Sequence, residues 1–183
     1  MTDGGGGCIV AWTEAGGDLH INRIDSLGTR VWGDSGKYVW NSPARPPTVS
    51  DGRGGCYIVC GIGRLQRFDH DGNIYWSGSG VLVPMGAAEM EIDGLSNVYL
   101  FGSIFIGVAN GIYSWTTNIQ KVSTSGMRLW DSLGVVIDTE KTNHPSPNYS
   151  MAVNSNGFDY LAWGNNSNDT TINYIQNISN EVD

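Results

Sequence analysis

The residues most able to do chemistry cluster in Asp69-His70-Asp71-Gly72-Asn73. Oxygen-bearing side chains at alternate positions beside a glycine are how a calcium loop begins. The aligned turns Asp25-Ser-Leu-Gly-Thr29 and Ser123-Thr-Ser-Gly-Met127 lack the second Asp, and no Glu follows at EF-hand spacing. The stretch therefore reads as a hairpin turn. His20, His70 and His144 are far apart in the frame of the repeat described below, so neither a zinc site nor a Ser-His-Asp triad is indicated. There is no P-loop, and no GxGxxG between a strand and a helix. Cys56 and Cys60 stand four apart on an expected strand, about 13 Å and too far to bridge. With Cys8, which occupies the equivalent repeat position to Cys56, they read as small buried hydrophobes, not nucleophiles or ligands. The expectation is a chain with no catalytic residue, no metal site and no cofactor.

Composition points the same way. Ten basic against eighteen acidic residues give a net charge of −8. That argues against nucleic acid, which is bound by Lys and Arg neutralising phosphates. The apolar run Ile104–Ala109 is broken by Gly107, and nothing approaches the ~20 residues of a bilayer span, so no membrane insertion is expected. Met1-Thr-Asp-Gly-Gly has neither the basic nor the apolar region of a signal peptide. Asn148, Asn165, Asn168 and Asn177 begin N-glycosylation triplets, which would matter in a secreted protein.

The element that positions everything else is a twelve-residue phrase. It reads INRIDSLGTRVW from Ile21 to Trp32, LQRFDHDGNIYW from Leu65 to Trp76 and IQKVSTSGMRLW from Ile119 to Trp130; a fourth copy starts at Ile172. Gly28, Gly72 and Gly126 recur, each followed by Trp four residues on. Upstream lies a second recurrent element: Cys8–Trp12, Cys56–Cys60, Val98–Gly102 and Asp159–Trp163, each preceded by a turn rich in Asp, Asn and Gly. Repeats of this length, built from short strands, predict propeller blades.

The expected architecture is all-β, a single propeller-type domain over 1–183 of about three and a half four-stranded blades. The units are 1–46, 47–87, 88–148 and 149–183, the first short of strand A and the last of strand D. In the second unit the strands are A at about Pro47–Ser50, B at Cys56–Gly61, C at Arg64–Asp69 and D from Asn73 to about Val83. Trp32, Trp76 and Trp130 are expected to pack each blade on the next. Arg23, Arg67 and Lys121 should lay their stems along the sheet, with the charged heads at its rim near a carboxylate. Two stretches break the repeat: an insertion in the third B–C hairpin, Ser103 to Ser114, and a Pro-containing connector, Thr139 to Tyr149.

These features resemble the blades of quinoprotein-like (PQQ-type) β-propellers. They are also similar to the Gly-rich propeller repeats of secreted and cell-surface bacterial proteins, with Ser50-Asp51-Gly-Arg-Gly-Gly55 followed by an apolar strand. The quinone-dependent dehydrogenases implied by the first resemblance use an adjacent Cys-Cys pair, and no two cysteines are adjacent here. The second resemblance implies a non-catalytic binding or scaffold module, extracellular or on a cell surface, that contacts protein or glycan through its loop face. Trp40, Phe105, Ile106, Tyr113 and Trp163 are the candidate contact residues. The alternative is a structural subunit that self-associates through open end blades.

Overall fold

The structure, a computed structural model, describes residues 1–41, 46–60, 63–76, 78–141, 149–155, 157–167 and 170–177. Among these there are strands and turns and no helix. The strands form four antiparallel meanders. The first has β1 (Cys8–Thr13), β2 (Asp18–Ile24) and β3 (Lys37–Asn41); the second has β4 (Thr48–Ser50), β5 (Cys56–Cys60), β6 (Arg64–Phe68) and β7 (Val81–Leu82). The third has β8 (Gly86–Ile92), β9 (Val98–Ala109), β10 (Ile112–Val122) and β11 (Val135–Lys141); the fourth has β12 (Tyr149–Asn154), β13 (Gly157–Ser167) and β14 (Thr170–Asn177). In each sheet the strands neighbour one another in sequence order, as short connections between antiparallel strands dictate. The chain divides into two compact units, Met1–Leu82 and Val83–Asp183, each holding two sheets.

In the first unit, Ile9, Leu19, Ile21 and Trp32 of the first sheet pack on Cys56, Ile58, Cys60 and Phe68 of the second. In the second unit, Tyr99, Phe101 and Ile119 pack on Met151, Leu161 and Trp163, with Trp130 at the margin. The repeated phrase therefore builds the same sheet-on-sheet core twice. The central strand β5 is buried at every residue, as a strand covered on both faces must be.

Trp32 makes the sheet-to-sheet contact in detail. Its indole N–H donates to the His70 carbonyl at 2.9 Å, and its ring stacks on Phe68 at 6.4 Å. A Cβ on Gly72 would stand 2.7 Å from that ring, so the recurrent glycine is required by the neighbouring sheet as well as by its own turn, where φ is +75°. Burying such a ring is worth about 4–6 kcal/mol as an upper bound. Trp76 is buried against Tyr57, whereas Trp130 is half-buried beside Tyr99.

The fourth strand begins later than its expected start at Asn73. After the phrase's turn the chain makes an isolated bridge, Phe68↔Ile74, and resumes pairing at Val81. Two recurrences hold this detour. Asn22, Gln66 and Gln120 are buried, and their amide N–H groups donate to Gly33, Trp76 and Asp131 carbonyls at 2.7, 3.2 and 2.8 Å. Gly36, Gly80 and Gly134 then press on the carbonyls of Ile21, Leu65 and Ile119 so closely that a Cβ would collide. Met1 and Thr2 supply the start of a fourth strand to the first sheet: Thr2 bridges Cys8, and Ile9 N–H donates to the Met1 carbonyl at 2.9 Å.

Candidate binding surface

The insertion at Ser103–Ser114 is not a loop but a ribbon. β9 and β10 continue past the packed part of their sheet and pair in register to Ile112↔Ala109. The link is Asn110-Gly111, both at positive φ (53° and 77°), the turn whose twist matches a two-residue hairpin. A bulge between Ser114 and Trp115 leaves Ile106 without an opposite residue. Phe105 then lies between Trp115 and Tyr113, with ring centroids 5.0 and 6.1 Å away. Cross-strand aromatic contacts of this kind hold a ribbon that has little core beneath it.

The arm's surface is apolar. Phe105, Ile106, Val108, Ile112 and Tyr113 are all exposed, Ile106 at 59%. From Val98 to Gln120 there is no charged residue, in a chain of net charge −8. The Trp115 indole N–H is buried without a partner among the described residues. Exposed apolar side chains gathered on one element mark a contact site more often than singly scattered ones do.

Of the residues expected to make contacts, Phe105, Ile106 and Tyr113 are brought together on this arm. Trp40 is exposed on β3, in the other unit. Trp163 is placed elsewhere: it is buried in the core of the second unit, and its indole N–H donates to Asp138 at 3.0 Å. Val108 and Ile112 escaped the sequence reading, although they flank Asn110-Gly111 as alternating strand residues would. The connector expected at Thr139–Tyr149 begins as part of β11, and 142–148 lie outside the described residues.

No protein-family model matches this chain, and no curated protein matches it. The site must be read from its own geometry.

The scaffold beneath the arm is pinned by a repeated polar clamp. Asp93 Oδ1 accepts the Leu95 and Asn97 backbone N–H groups at 3.0 and 2.9 Å, and Oδ2 faces Lys121 Nζ at 3.2 Å. Asp3 and Asp51 do the same in their sheets, paired with Arg23 at 2.8 Å and Arg67 at 3.7 Å. The recurrent basic residue thus meets the Asp of the turn before strand B. Asp25 and Asp69, which follow Arg23 and Arg67 by two residues, instead cap their own turns. Burial pushes the Asp93 carboxyl up, but the Asn97 amide and N–H and the Lys121 ammonium outweigh it and leave the group more acidic than usual. Asp3 is lowered chiefly by the hydrogen bond from Arg23, then by Gly5 N–H.

The cysteines are unbridged: Cys56 and Cys60 are buried and Cys8 is half-buried. Burial raises the thiol pKa of Cys56 far above its ordinary value and raises that of Cys60. Neither is set up as a nucleophile, which needs the thiolate.

Proposed function

We propose that this chain is a non-catalytic binding or scaffold module, a set of propeller-type blades whose third blade carries the contact element. The observation behind this reading is the β9–β10 arm: an uncharged ribbon with five large apolar side chains exposed and an aromatic ladder to stiffen it. A rigid aromatic contact loses little conformational entropy on binding, which favours recognition. The arm's aliphatic residues favour a protein surface over a glycan. The Gly-rich turns and blade-like meanders support placing the module in an extracellular or cell-surface protein. Three- and four-stranded meanders stacked face to face, with Trp32 buried between one such pair, favour the propeller over a closed barrel.

The test compares the native chain with a Phe105→Ser, Ile106→Ser, Tyr113→Ser variant on a glycan array and on an array of purified surface proteins. Binding by the native chain that the variant loses supports the reading. Binding that the variant retains in full overturns the arm's role.

A further inference from the structure

The two sheet-on-sheet cores give each sheet a direction. One face, carried by Ile9 in the first sheet and Tyr99 in the third, packs forward onto the next sheet. The opposite face receives the preceding sheet, as Ile58, Cys60 and Phe68 receive Trp32. Aligning the repeats makes Val10, Trp12, Ile24, Ser26 and Gly28 the counterparts of Ile58, Cys60, Phe68, His70 and Gly72. The registers agree, since Cys8↔Ile24 matches Cys56↔Phe68.

Ile58, Cys60, Phe68 and Gly72 are buried in the second sheet, whereas in the first Val10 and Gly28 are exposed and Trp12 and Ile24 only half-buried. Ile58 is fully buried, while Val10 is 43% exposed. A Cβ on Gly72 would strike the Trp32 ring; one on Gly28 would meet nothing within 4 Å. A cavity of about 280 Å³ lies here, lined by Val10, Trp12, Asn22, Ile24, Arg30 and Asp34. The forward face shows the converse at the other end of the chain. Ile9, Tyr57 and Tyr99 are buried, but Tyr160, the same position in the fourth sheet, is 52% exposed.

We propose that the face of the first sheet bearing Val10 and Gly28 is a docking site for a second copy of this chain, which presents the fourth-sheet face bearing Tyr160. A second copy is the occupant because the surface repeats, position for position, one that this chain covers with its own sheet. The two uncovered faces are the receiving and forward halves of that contact. The association is head to tail, so it closes into rings, the smallest of two copies, or runs on as open filaments. It does not depend on the β9–β10 arm.

Sedimentation velocity over a concentration series tests it. The wild-type chain should exceed its monomer mass of 19.8 kDa as concentration rises. Val10→Glu should be monomeric through its blocked receiving face and Tyr160→Glu through its blocked forward face. Mixed together, they should form a one-to-one dimer and nothing larger, because each keeps one working face. Gly28→Asn is the second receiving-face variant, since Asn tolerates the left-handed φ of +83° while its side chain fills the seat. Leu27→Glu, on the exposed tip of the same turn, should associate like wild type. A wild-type chain that stays monomeric into the millimolar range overturns the proposal. So does a mixture of folded Val10→Glu or Gly28→Asn with Tyr160→Glu that forms no dimer.

Discussion

Arg23 Nε donates to Asp3 Oδ2 at 2.8 Å across twenty residues of sequence, and the same pairing of turn Asp with strand cation recurs as Asp51–Arg67 and Asp93–Lys121. Each Asp side chain is almost fully buried, and each also gathers the backbone N–H groups of its own turn. The clamp fixes the entry to strand B relative to the end of strand C.

Removing one clamp should therefore cost more than an ordinary surface ion pair. Asp93→Ala leaves two turn N–H groups and Lys121 without their acceptor and should destabilise by about 1.5–3 kcal/mol, read by urea denaturation. Asp93→Asn, which keeps an amide oxygen for the turn, should lose less. Equal losses would mean that the charge carries the whole clamp and that the oxygen kept for the turn contributes nothing.

The Trp32 seat gives a sharper comparison. Trp32→Ala should cost about 3–5 kcal/mol, and Trp76→Ala a similar amount, since each removes a buried ring. Gly72→Ala and Gly28→Ala share a positive φ, but only at position 72 does the new methyl meet an indole. In the monomer Gly72→Ala should lower the melting temperature more than Gly28→Ala. Equal effects would show that turn strain alone makes the glycine necessary.

Acid should act in two opposed steps. Burial raises Glu89 and Glu91 above the ordinary 4.5, with Glu89 adding to the effect at Glu91. Their protonated forms favour the fold, so that stability is present below pH 4.5 and is lost as pH rises through the raised values. Asp3, Asp25, Asp69 and Asp93 lie below the ordinary 3.8, and their contribution is full above it and lost as pH falls through the depressed values. The melting temperature should climb modestly from neutrality toward pH 4.5 and drop below 3.8. Glu89→Gln with Glu91→Gln should remove the climb. A wild-type profile that falls steadily from pH 7 would contradict this.

Thiol labelling should separate the three cysteines. Cys56 and Cys60 should resist a thiol reagent until the chain unfolds, while half-buried Cys8 reacts sooner. Fast native labelling of Cys56 would break the register Cys56↔Phe68.

The sequence made the strands and the turn glycines legible because the phrase repeats at fixed spacing. Trp32 was readable as a packing residue for the same reason. The buried amides Asn22, Gln66 and Gln120 and the second glycine series, Gly36, Gly80 and Gly134, were equally periodic. Their meaning lies in a backbone detour that propensity does not encode. Trp163 ends its expected strand, Asp159–Trp163, where a contact residue could stand; its pairing within β13 and its burial show that its ring points into the core. The arm was visible as an interruption of the repeat, but not as a ribbon: that depended on Asn110-Gly111 setting a two-residue turn.

The most direct test of the central claim places a photo-crosslinking amino acid at position 106 on the arm and, separately, at position 27 on an exposed turn. Each is irradiated with the surface protein or glycan conjugate that the native chain retains on the arrays. The arm reading predicts a discrete adduct from position 106, lost when Phe105 and Tyr113 are changed to Ser, in a chain whose stability stays within about 0.5–1 kcal/mol of wild type. Equal labelling from positions 27 and 106, or a collapse of several kcal/mol in the double variant, would show that the arm is a structural element and not a binding surface.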